Sequence, residues 1–516
     1  MARTLTAIAP LLVQIFAADA RQSASCTVSD SAKSDCGYFG IDQSGCESKG
    51  CCWSPLYDGS DTPWCFFDTG DDDSVDDDTS STCFLLDGSE AVADSPPFDD
   101  SMMALFKANF LSQIDIDDVG AVVAAPDHDT PGGDYYFHWE RDGALSMRCL
   151  QETETGGDNT TTYMQAYTSW VLGRQAEDDP HGIDVRTEPK YEIPTGEVYE
   201  GAWCRPQNDG PGLRAISLMI FANSLLEQGE SDYVKANLFG SDAPNGGAIY
   251  YDLQYLVDGG WSTNTCDLWE EVQSYDFFWN RVTMYRALIM GAEFASSLGD
   301  DVSSAAYLET ADAVGATLGA HDNGDYVYES TNREIDGAVF CAINNGYTNA
   351  SDFMSFASPY EESTARTVVT YIQAFCDEYS INTQDSDSGI PGVLIGRYPG
   401  DTYAGGNPWV LTTAALAQVF YRAAFQTKTF GLPSEAAQEQ WSKLGITTST
   451  SSEMAQALAT SGDSVLLRLA KHVNGDGGRL DEQIDRDSGE QASAQSLTWS
   501  YAEVLNAMKA RTDYFA

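Results

Sequence analysis

The chain has 516 residues, of which 27 are Lys or Arg and 79 are Asp or Glu, so its formal net charge is −52. A surface of this sign repels polyanions and anionic bilayers, which excludes nucleic acids and membrane surfaces as partners. Hydrophobic residues make up 42% of the chain and aromatic residues 11%, so we expect a globular protein with an acidic surface rather than a disordered one.

The first 20 residues have the form of a secretion signal. Arg3 supplies positive charge, residues 5–18 are mostly apolar, and Ala18-Asp19-Ala20 is a small-residue cleavage site. No later stretch reaches about 18 uninterrupted apolar residues, so no transmembrane span is predicted. We expect a secreted, extracellular protein, and the sequons at Asn159 and Asn349 are compatible with glycosylation on that route.

Cysteines are concentrated near the start of the mature chain. Twelve are present, and six of them fall between residues 26 and 65. A segment this short cannot bury a sufficient core alone, so an even, dense set of cysteines behind a signal peptide predicts a disulfide framework. A zinc site is the alternative, which the absence of His from the segment disfavours, and no metal is predicted. The residues alone leave the pairing open.

The segment from Cys26 to Phe67, with its adjacent Cys51-Cys52 and its closing Pro63-Trp64-Cys65-Phe66, resembles a P-type trefoil domain. We place this domain at residues 25–68. The resemblance implies a carbohydrate ligand, for which Trp53 and Trp64 either stack on a sugar or serve as core. It also implies three disulfides: Cys26–Cys52, Cys36–Cys51 and Cys46–Cys65.

An acidic segment follows, with six Asp between residues 71 and 78. Like charges at this density repel one another and extend the chain. We therefore predict a linker over residues 69–94 and a second domain over residues 95–516.

Helical periodicity dominates that second domain, and no βαβ alternation is visible. The connecting segments are long and rich in Trp, Tyr, Asp, Gly and Pro, as functional loops are. We predict an all-α toroid of antiparallel helices with its site at one end. The predicted helices are 98–114, 162–175, 213–229, 279–299, 304–321, 362–380, 408–425, 464–473 and 496–511.

Five loop segments contain acids; four of them also contain aromatic residues, and four contain Arg. Pyranose faces stack on aromatic rings, and glycosidic cleavage needs one carboxylic acid and one carboxylate. Adjacent acids alone carry no weight in a chain with 79 of them, so the segments indicate sugar chemistry only jointly. No G-x-S-x-G, H-E-x-x-H or P-loop motif is present. The segments are 135–142 (YYFHWERD), 203–214 (WCRPQNDGPGLR), 267–271 (DLWEE), 397–409 (RYPGDTYAGGNPW) and 480–493 (LDEQIDRDSGEQAS).

Taken in order, these segments resemble glucoamylase, glycoside hydrolase family 15, over about residues 134–511. The resemblance implies an (α/α)6 barrel without a cofactor. It also implies exo-acting hydrolysis of α-1,4 bonds at the non-reducing ends of starch, glycogen or maltooligosaccharides, with release of β-glucose by inversion. We expect a monomer.

When the family's roles are assigned to the matching motif positions, the resemblance implies that Glu270 is the general acid and Glu482 the general base. We expect Asp267 and Glu271, as like charges, and Trp269, as an apolar wall, to raise the pKa of Glu270. Inversion requires the carboxyl groups to lie about 6.5–9.5 Å apart. The resemblance also implies that Ser493 lies near the base and that Arg205, Asp209 and Asp401 hold either the loops or adjacent glucose units. The implied substrate-binding residues are Tyr135, Trp139, Arg141, Asp142, Trp203, Arg205, Asp267, Trp269, Glu271, Arg397, Asp401 and Trp409.

Several points stay open. His138 and Glu140 replace smaller polar residues of fungal members, which alters the charge expected around the innermost subsite. The remaining cysteines are expected to pair as Cys204–Cys266, Cys341–Cys376 and Cys83–Cys149, with free buried thiols as the alternative. Another α-glucoside, of the isomaltose or trehalose type, is an alternative substrate, and an inactive carbohydrate-binding protein is the alternative from another class.

Overall fold

The computed structural model describes residues 33, 43–48, 51–55, 64–66, 83–347, 356–475 and 477–516. The chain divides into two compact units, Met1–Thr79 and Ser80–Ala516. The expected signal peptide and residues 69–82 of the expected linker lie outside the described residues, as do Cys26, Cys36 and Asn349.

The first unit contains helix α1 (Gln43–Ser48) and two short antiparallel strands, β1 (Cys52–Trp53) and β2 (Cys65–Phe66). A disulfide joins Cys46 to Cys65, the pair that the trefoil resemblance implies. Cys51 and Cys52 are also disulfide-bonded. Their expected partners lie outside the described residues, so these two pairings stay predictions.

Helices dominate the second unit. Its strands are short antiparallel pairs beside the helix ends: β3 (Ile114–Ile116) with β4 (Ala121–Val122), β5 (Phe137–Trp139) with β6 (Lys190–Glu192), β7 (Thr265–Cys266) with β8 (Gln273–Ser274), and β9 (Gln483–Ile484) with β10 (Gln491–Ala492). The helices are α2 (Asp100–Leu111), α3 (Glu140–Glu152), α4 (Thr160–Gln175), α5 (Gly210–Glu227), α6 (Ser231–Tyr233), α7 (Ala248–Val257), α8 (Phe278–Ser297), α9 (Asp301–Leu318), α10 (Ala338–Gly346), α11 (Glu362–Glu378), α12 (Ser380–Asp387), α13 (Val410–Phe430), α14 (Glu435–Ser442), α15 (Ser451–Val473) and α16 (Thr498–Phe515).

Six of the helices that the structure describes form a closed ring. Going round it, α3 packs on α5, α5 on α8, α8 on α10, α10 on α13, α13 on α16, and α16 again on α3. Outside the ring, α2, α4, α7, α9 and α15 each pack against an inner helix, and α11 reaches α10 through the Tyr371 and Phe340 rings. The prediction of an all-α fold is confirmed, and the closed double ring is the arrangement expected of an (α/α)6 barrel.

Two ring helices, α3 and α10, were not predicted. Every residue from Glu140 to Leu150 of α3 is buried, and so is every residue of α10. A helix buried on all sides lacks the polar face that makes helical periodicity visible in a sequence. In α3 the buried charges of Arg141 and Arg148 obscure the pattern further.

The predicted linker boundary at residue 94 is wrong. Phe84 and Ala91 are buried in the core of the second unit, and Leu85 forms a β-bridge to Gly392. A disulfide from Cys83 to Cys376 also fixes this segment. The described part of the expected linker therefore belongs to the helical unit.

One of the expected cysteine pairs is present in this unit, the disulfide Cys204–Cys266. The expected pairs Cys341–Cys376 and Cys83–Cys149 are wrong, because Cys83 bonds to Cys376. Within the described part of the chain, Cys149 and Cys341 are free, buried thiols on the inner helices. The Cys149 thiol donates to the Ala502 carbonyl oxygen instead, at 3.4 Å.

Across the described segments, the search for a helix both long enough and apolar enough to span a bilayer finds none.

Candidate active site

The five segments singled out in the sequence converge at one end of the helical ring. Each lies immediately before an inner helix or forms its first turn, so the N-terminal ends of the inner helices surround a common cavity of about 250 Å³. The cavity is lined by Ala124, Gly132, Tyr135, Trp139, Arg141, Asp142, Trp203, Leu268, Trp269, Glu270, Glu271, Arg397, Tyr403, Trp409, Glu482, Leu497 and Trp499.

Glu270 stands on the tight turn that joins the paired strands β7 and β8, ahead of helix α8. Its φ of 66° lies in the left-handed region that non-glycine residues rarely adopt. Asp267 holds the turn, because its Oδ1 accepts hydrogen bonds from the backbone N–H groups of Glu271 (2.7 Å) and Val272 (2.9 Å). Residues in such conformations persist where surrounding contacts fix them, and they cluster at functional sites.

The environment of the Glu270 carboxyl group favours its protonated form. Burial raises the pKa of Glu270, while Arg141, Gln207 and Lys190 oppose the rise. Gln207 donates to Glu270 Oε1 at 2.8 Å. The expected direction is therefore found. Of the expected causes, apolar surroundings agree with the burial that raises this pKa, whereas the carboxylates of Asp267 and Glu271 are not among its main causes.

Glu482 lies on the same cavity and is 1% exposed. Its carboxylate accepts hydrogen bonds from Ser493 Oγ (2.5 Å), Tyr135 Oη (2.8 Å) and Gln483 Nε2 (3.1 Å). Burial raises the pKa of Glu482 above its ordinary value, and these donors together with Arg397 offset only part of the rise. Ser493, like Glu270, has a φ of 66°.

Arg141 and Asp142, in the first turn of α3, form a charged corner of the cavity. Arg141 Nε donates to Asp209 at 2.7 Å and its Nη2 donates to Gln207 at 2.6 Å, while Nη1 lies 3.7 Å from Glu270 Oε1. Burial raises the pKa of Asp142 to about 7, although Arg141 opposes the rise. A carboxyl group in this position is suited to binding sugar hydroxyls.

Glu271 belongs to a second charged cluster at the cavity, distinct from that of Arg141 and Asp142. It accepts hydrogen bonds from Arg397 Nη2 (2.9 Å), Tyr398 Oη (2.6 Å) and Arg333 Nη2 (2.5 Å). Burial raises its pKa, but Arg397, Tyr398 and Arg333 outweigh burial, so the pKa of Glu271 is lowered. Asp401 holds Arg397 through two hydrogen bonds of 2.6 and 2.8 Å. The adjacent Glu270 and Glu271 are thus biased towards opposite protonation states.

Tryptophans form the inner end of the cavity. The Trp269 ring centroid lies 5.3 Å from that of Trp409 and 6.4 Å from that of Trp499. Trp269 Nε1 donates to Asp336 at 2.8 Å, and Trp499 Nε1 donates to Glu503 at 3.0 Å. These hydrogen bonds fix the rings from behind.

Three of the residues predicted to bind substrate lie behind the lining. Arg205 donates to Glu188 at 2.6 Å and to the Tyr199 carbonyl oxygen at 2.5 Å, so it fastens a loop. Asp267 and Asp401 fasten the Glu270 turn and Arg397. The structure shows a loop-holding role for all three, which was one of the two roles expected of Arg205 and Asp401. Their contact with substrate stays a prediction. The other substrate-binding residues predicted from the motifs all line the cavity.

His138 and Glu140 do not change the charge of the cavity, contrary to expectation. Both side chains are buried below the lining. Glu140 is ion-paired with Arg214 at 3.0 Å, and although burial raises its pKa, Arg214 and His138 together lower it to about 2.

Sequence reasoning missed several residues of the site. Tyr403 occurs in a motif segment and Trp499 follows the last segment by six residues, so an aromatic residue in or near a segment was the available signal. Gln207 also lies in such a segment. Arg333 and Lys190 lie outside every motif segment, and only the fold brings them to Glu271 and to the Trp139–Trp203 wall.

Two buried carboxyl groups on one aromatic-lined cavity, at one end of a helical ring, form the arrangement of a glycoside hydrolase. The family model of glycosyl hydrolases family 15 matches residues 108–509, and the chain belongs to this family. The trefoil (P-type) domain model matches residues 26–68.

The chain resembles glucoamylases of known sequence and structure. It is 32% identical to the glucoamylase of Blastobotrys adeninivorans over 461 residues, covering 81% of this chain and 71% of that protein. It is 34% identical to glucoamylase-1 of Schizophyllum commune over 414 residues, covering 76% of this chain and 69% of that protein. The solved structure of Hormoconis resinae glucoamylase superposes with a TM-score of 0.71 at 28% identity, covering 80% of this chain and 72% of that one.

Proposed function

We propose that the protein is an exo-acting glucan 1,4-α-glucosidase that releases β-glucose from the non-reducing ends of starch, glycogen or maltooligosaccharides by inversion. The observation that carries this proposal is that Glu270 and Glu482 line one small aromatic cavity. The glucoamylase names of the relatives support the substrate class.

In this mechanism Glu270 protonates the glycosidic oxygen. Its burial favours the protonated form, and the turn fixed by Asp267 points the carboxyl group into the cavity. Glu482 accepts a proton from the attacking water, and its three side-chain donors favour the ionised carboxylate that a base requires, against the burial that raises its pKa. We expect the two carboxyl groups to lie about 6.5–9.5 Å apart, which leaves room for that water.

Exo action follows from the shape and charge of the site. Arg141 and Asp142 are placed to bind hydroxyls of a terminal glucose, and the tryptophans at the inner end stop a chain from passing further. Only a chain end then reaches the acid and the base.

We further propose that the protein is secreted as a monomer, glycosylated at Asn159 and Asn349, with a carbohydrate ligand for the trefoil domain. The N-terminal 20 residues support secretion. Asn159 lies exposed at the start of α4, which suits modification.

Proton NMR of the anomeric region during action on maltoheptaose tests the catalytic proposal. We expect β-glucose to appear first while the chain shortens by one unit at a time. Glu270→Gln and Glu482→Gln should each lower kcat about 10²- to 10⁴-fold, whereas Glu439→Gln, on an exposed face of α14, should leave it unchanged.

Initial α-glucose would contradict inversion. Release of glucose from isomaltose or trehalose in preference to maltoheptaose would show that the substrate is another α-glucoside. Starch binding without turnover, unaffected by both Gln variants, would identify a carbohydrate-binding protein.

A further inference from the structure

Lys190 lies buried behind the cavity wall, inside a cage of aromatic rings. Strand pairing places it directly opposite Trp139, so their side chains share one face. Its Nζ lies 3.8 Å from the ring centroid of Trp203, 4.1 Å from those of Trp139 and Phe137, and 4.4 Å from that of Tyr199. The residue is 2% exposed, and within the described segments its ammonium group makes neither an ion pair nor a hydrogen bond.

A buried ammonium without a carboxylate partner is unfavourable for stability. Burial lowers the pKa of Lys190 to about 8. The four rings offset part of this cost, because an aromatic face attracts a cation. An apolar side chain of similar length would occupy the same space without the desolvation cost. Retention of the charge therefore points to a role in the site.

The charge lies next to the catalytic machinery. Trp139 and Trp203, which contact the ammonium, line the same cavity as Glu270. Of the charged groups that affect the pKa of Lys190, Glu270 has the largest effect, followed by Asp134, Glu192 and Arg205.

The effect is reciprocal. Lys190 lowers the pKa of Glu270, as Arg141 and Gln207 do, against the burial that raises it.

We propose that Lys190 is a positioning residue of the active site, whose ammonium fixes the Trp139 and Trp203 rings as the cavity wall and places a positive charge beside Glu270. This inference rests on the proposed function, in which Glu270 is the general acid.

The test compares Lys190→Met, which removes the charge, with Lys190→Arg, which keeps it. Lys428→Met is the matched control, because Lys428 lies exposed at the end of α13, away from the cavity. Lys190→Met should lower kcat/KM for maltose roughly tenfold, the loss of about one desolvated cation–π contact. It should also move the alkaline limb of the kcat profile to higher pH, because without the positive charge Glu270 keeps its proton to a higher pH. Lys190→Arg should keep the wild-type limb.

The proposal is overturned if folded Lys190→Met has the wild-type kcat/KM and an unmoved limb. It is also overturned if Lys428→Met moves the limb equally, since the effect would then be one of overall charge.

A second measurement needs neither variant. Near-UV circular dichroism of the wild-type protein between pH 6 and 9 should change with a midpoint near the Lys190 pKa of about 8, as the rings lose their cation. A constant aromatic spectrum overturns the proposal. If the wild-type protein releases no glucose from any α-glucoside, the proposed function fails, while the spectral change still supports the role of Lys190 in the wall.

Discussion

Replacing Asp142 with Asn should remove a large pH-dependent loss of stability. Burial raises the pKa of Asp142 from 3.8 to about 7. Because the folded protein holds this proton more tightly than the unfolded chain does, the stability that the group contributes is complete below pH 3.8 and is lost as the pH rises through about 7. At roughly 1.4 kcal/mol per pKa unit, the loss amounts to about 4 kcal/mol.

Urea unfolding followed by tryptophan fluorescence measures this difference. The free energy of unfolding of Asp142→Asn, relative to wild type, should rise by about 4 kcal/mol between pH 4 and pH 8. Asp312→Asn, on an exposed face of α9, removes the same formal charge and should show no such rise.

The same substitution should lower activity. At pH 8, where the Asp142 carboxyl group is mostly ionised, loss of a charged hydrogen bond to substrate, worth about 1.5–3 kcal/mol, predicts roughly a 10- to 150-fold fall in kcat/KM for maltose. A pH dependence of stability that runs parallel in Asp142→Asn and wild type would refute the reasoning, because the buried carboxyl group would then not titrate as its environment requires.

Other changes test the base and the loops. Tyr135→Phe and Ser493→Ala each remove a hydrogen-bond donor to Glu482, so the pKa of Glu482 should rise. The acid limb of the kcat/KM profile should then move to higher pH by roughly half a unit to one unit. An unmoved limb in the pH–rate profile would argue against Glu482 as the base. Replacing both Cys204 and Cys266 with Ser opens a disulfide that spans 62 residues. We expect a loss of about 4 kcal/mol in the free energy of unfolding, measured by urea titration. An unchanged urea midpoint would contradict this prediction.

The sequence predicted the parts of the site that lie in contiguous segments. Glu270 and Arg397 each stand in a motif with other members that line the cavity, so local residues carried the information, and Glu482 was predicted from the motif that surrounds it in sequence. Arg333 contacts Glu271 across 62 residues of chain, and nothing near it in sequence indicates that contact. Lys190 depends in the same way on a strand pairing that forms only in the fold.

The same limit applies to the helices. The outer helix α9 exposes one face and shows its period, so it was predicted within a few residues, whereas the outer helix α7 was missed and only the second half of α15 was predicted. Helix α3 carries Arg141 and Arg148 into the core, where partners such as Asp209 and Asn345 compensate them. A prediction from periodicity cannot include partners that lie in other segments, and this is why α3 was missed.

The closed helical ring also determines how a substrate chain can be processed. Glu503, which accepts the hydrogen bond from Trp499, lines a further cavity of only about 20 Å³, which has room for a water molecule and not for a hexose. A freed glucose must therefore leave by the route through which the chain entered, and the shortened chain must withdraw first. We expect attack to be distributive, with one bond cleaved per encounter, so that every chain in a mixture shortens gradually and none is consumed to its end before another begins.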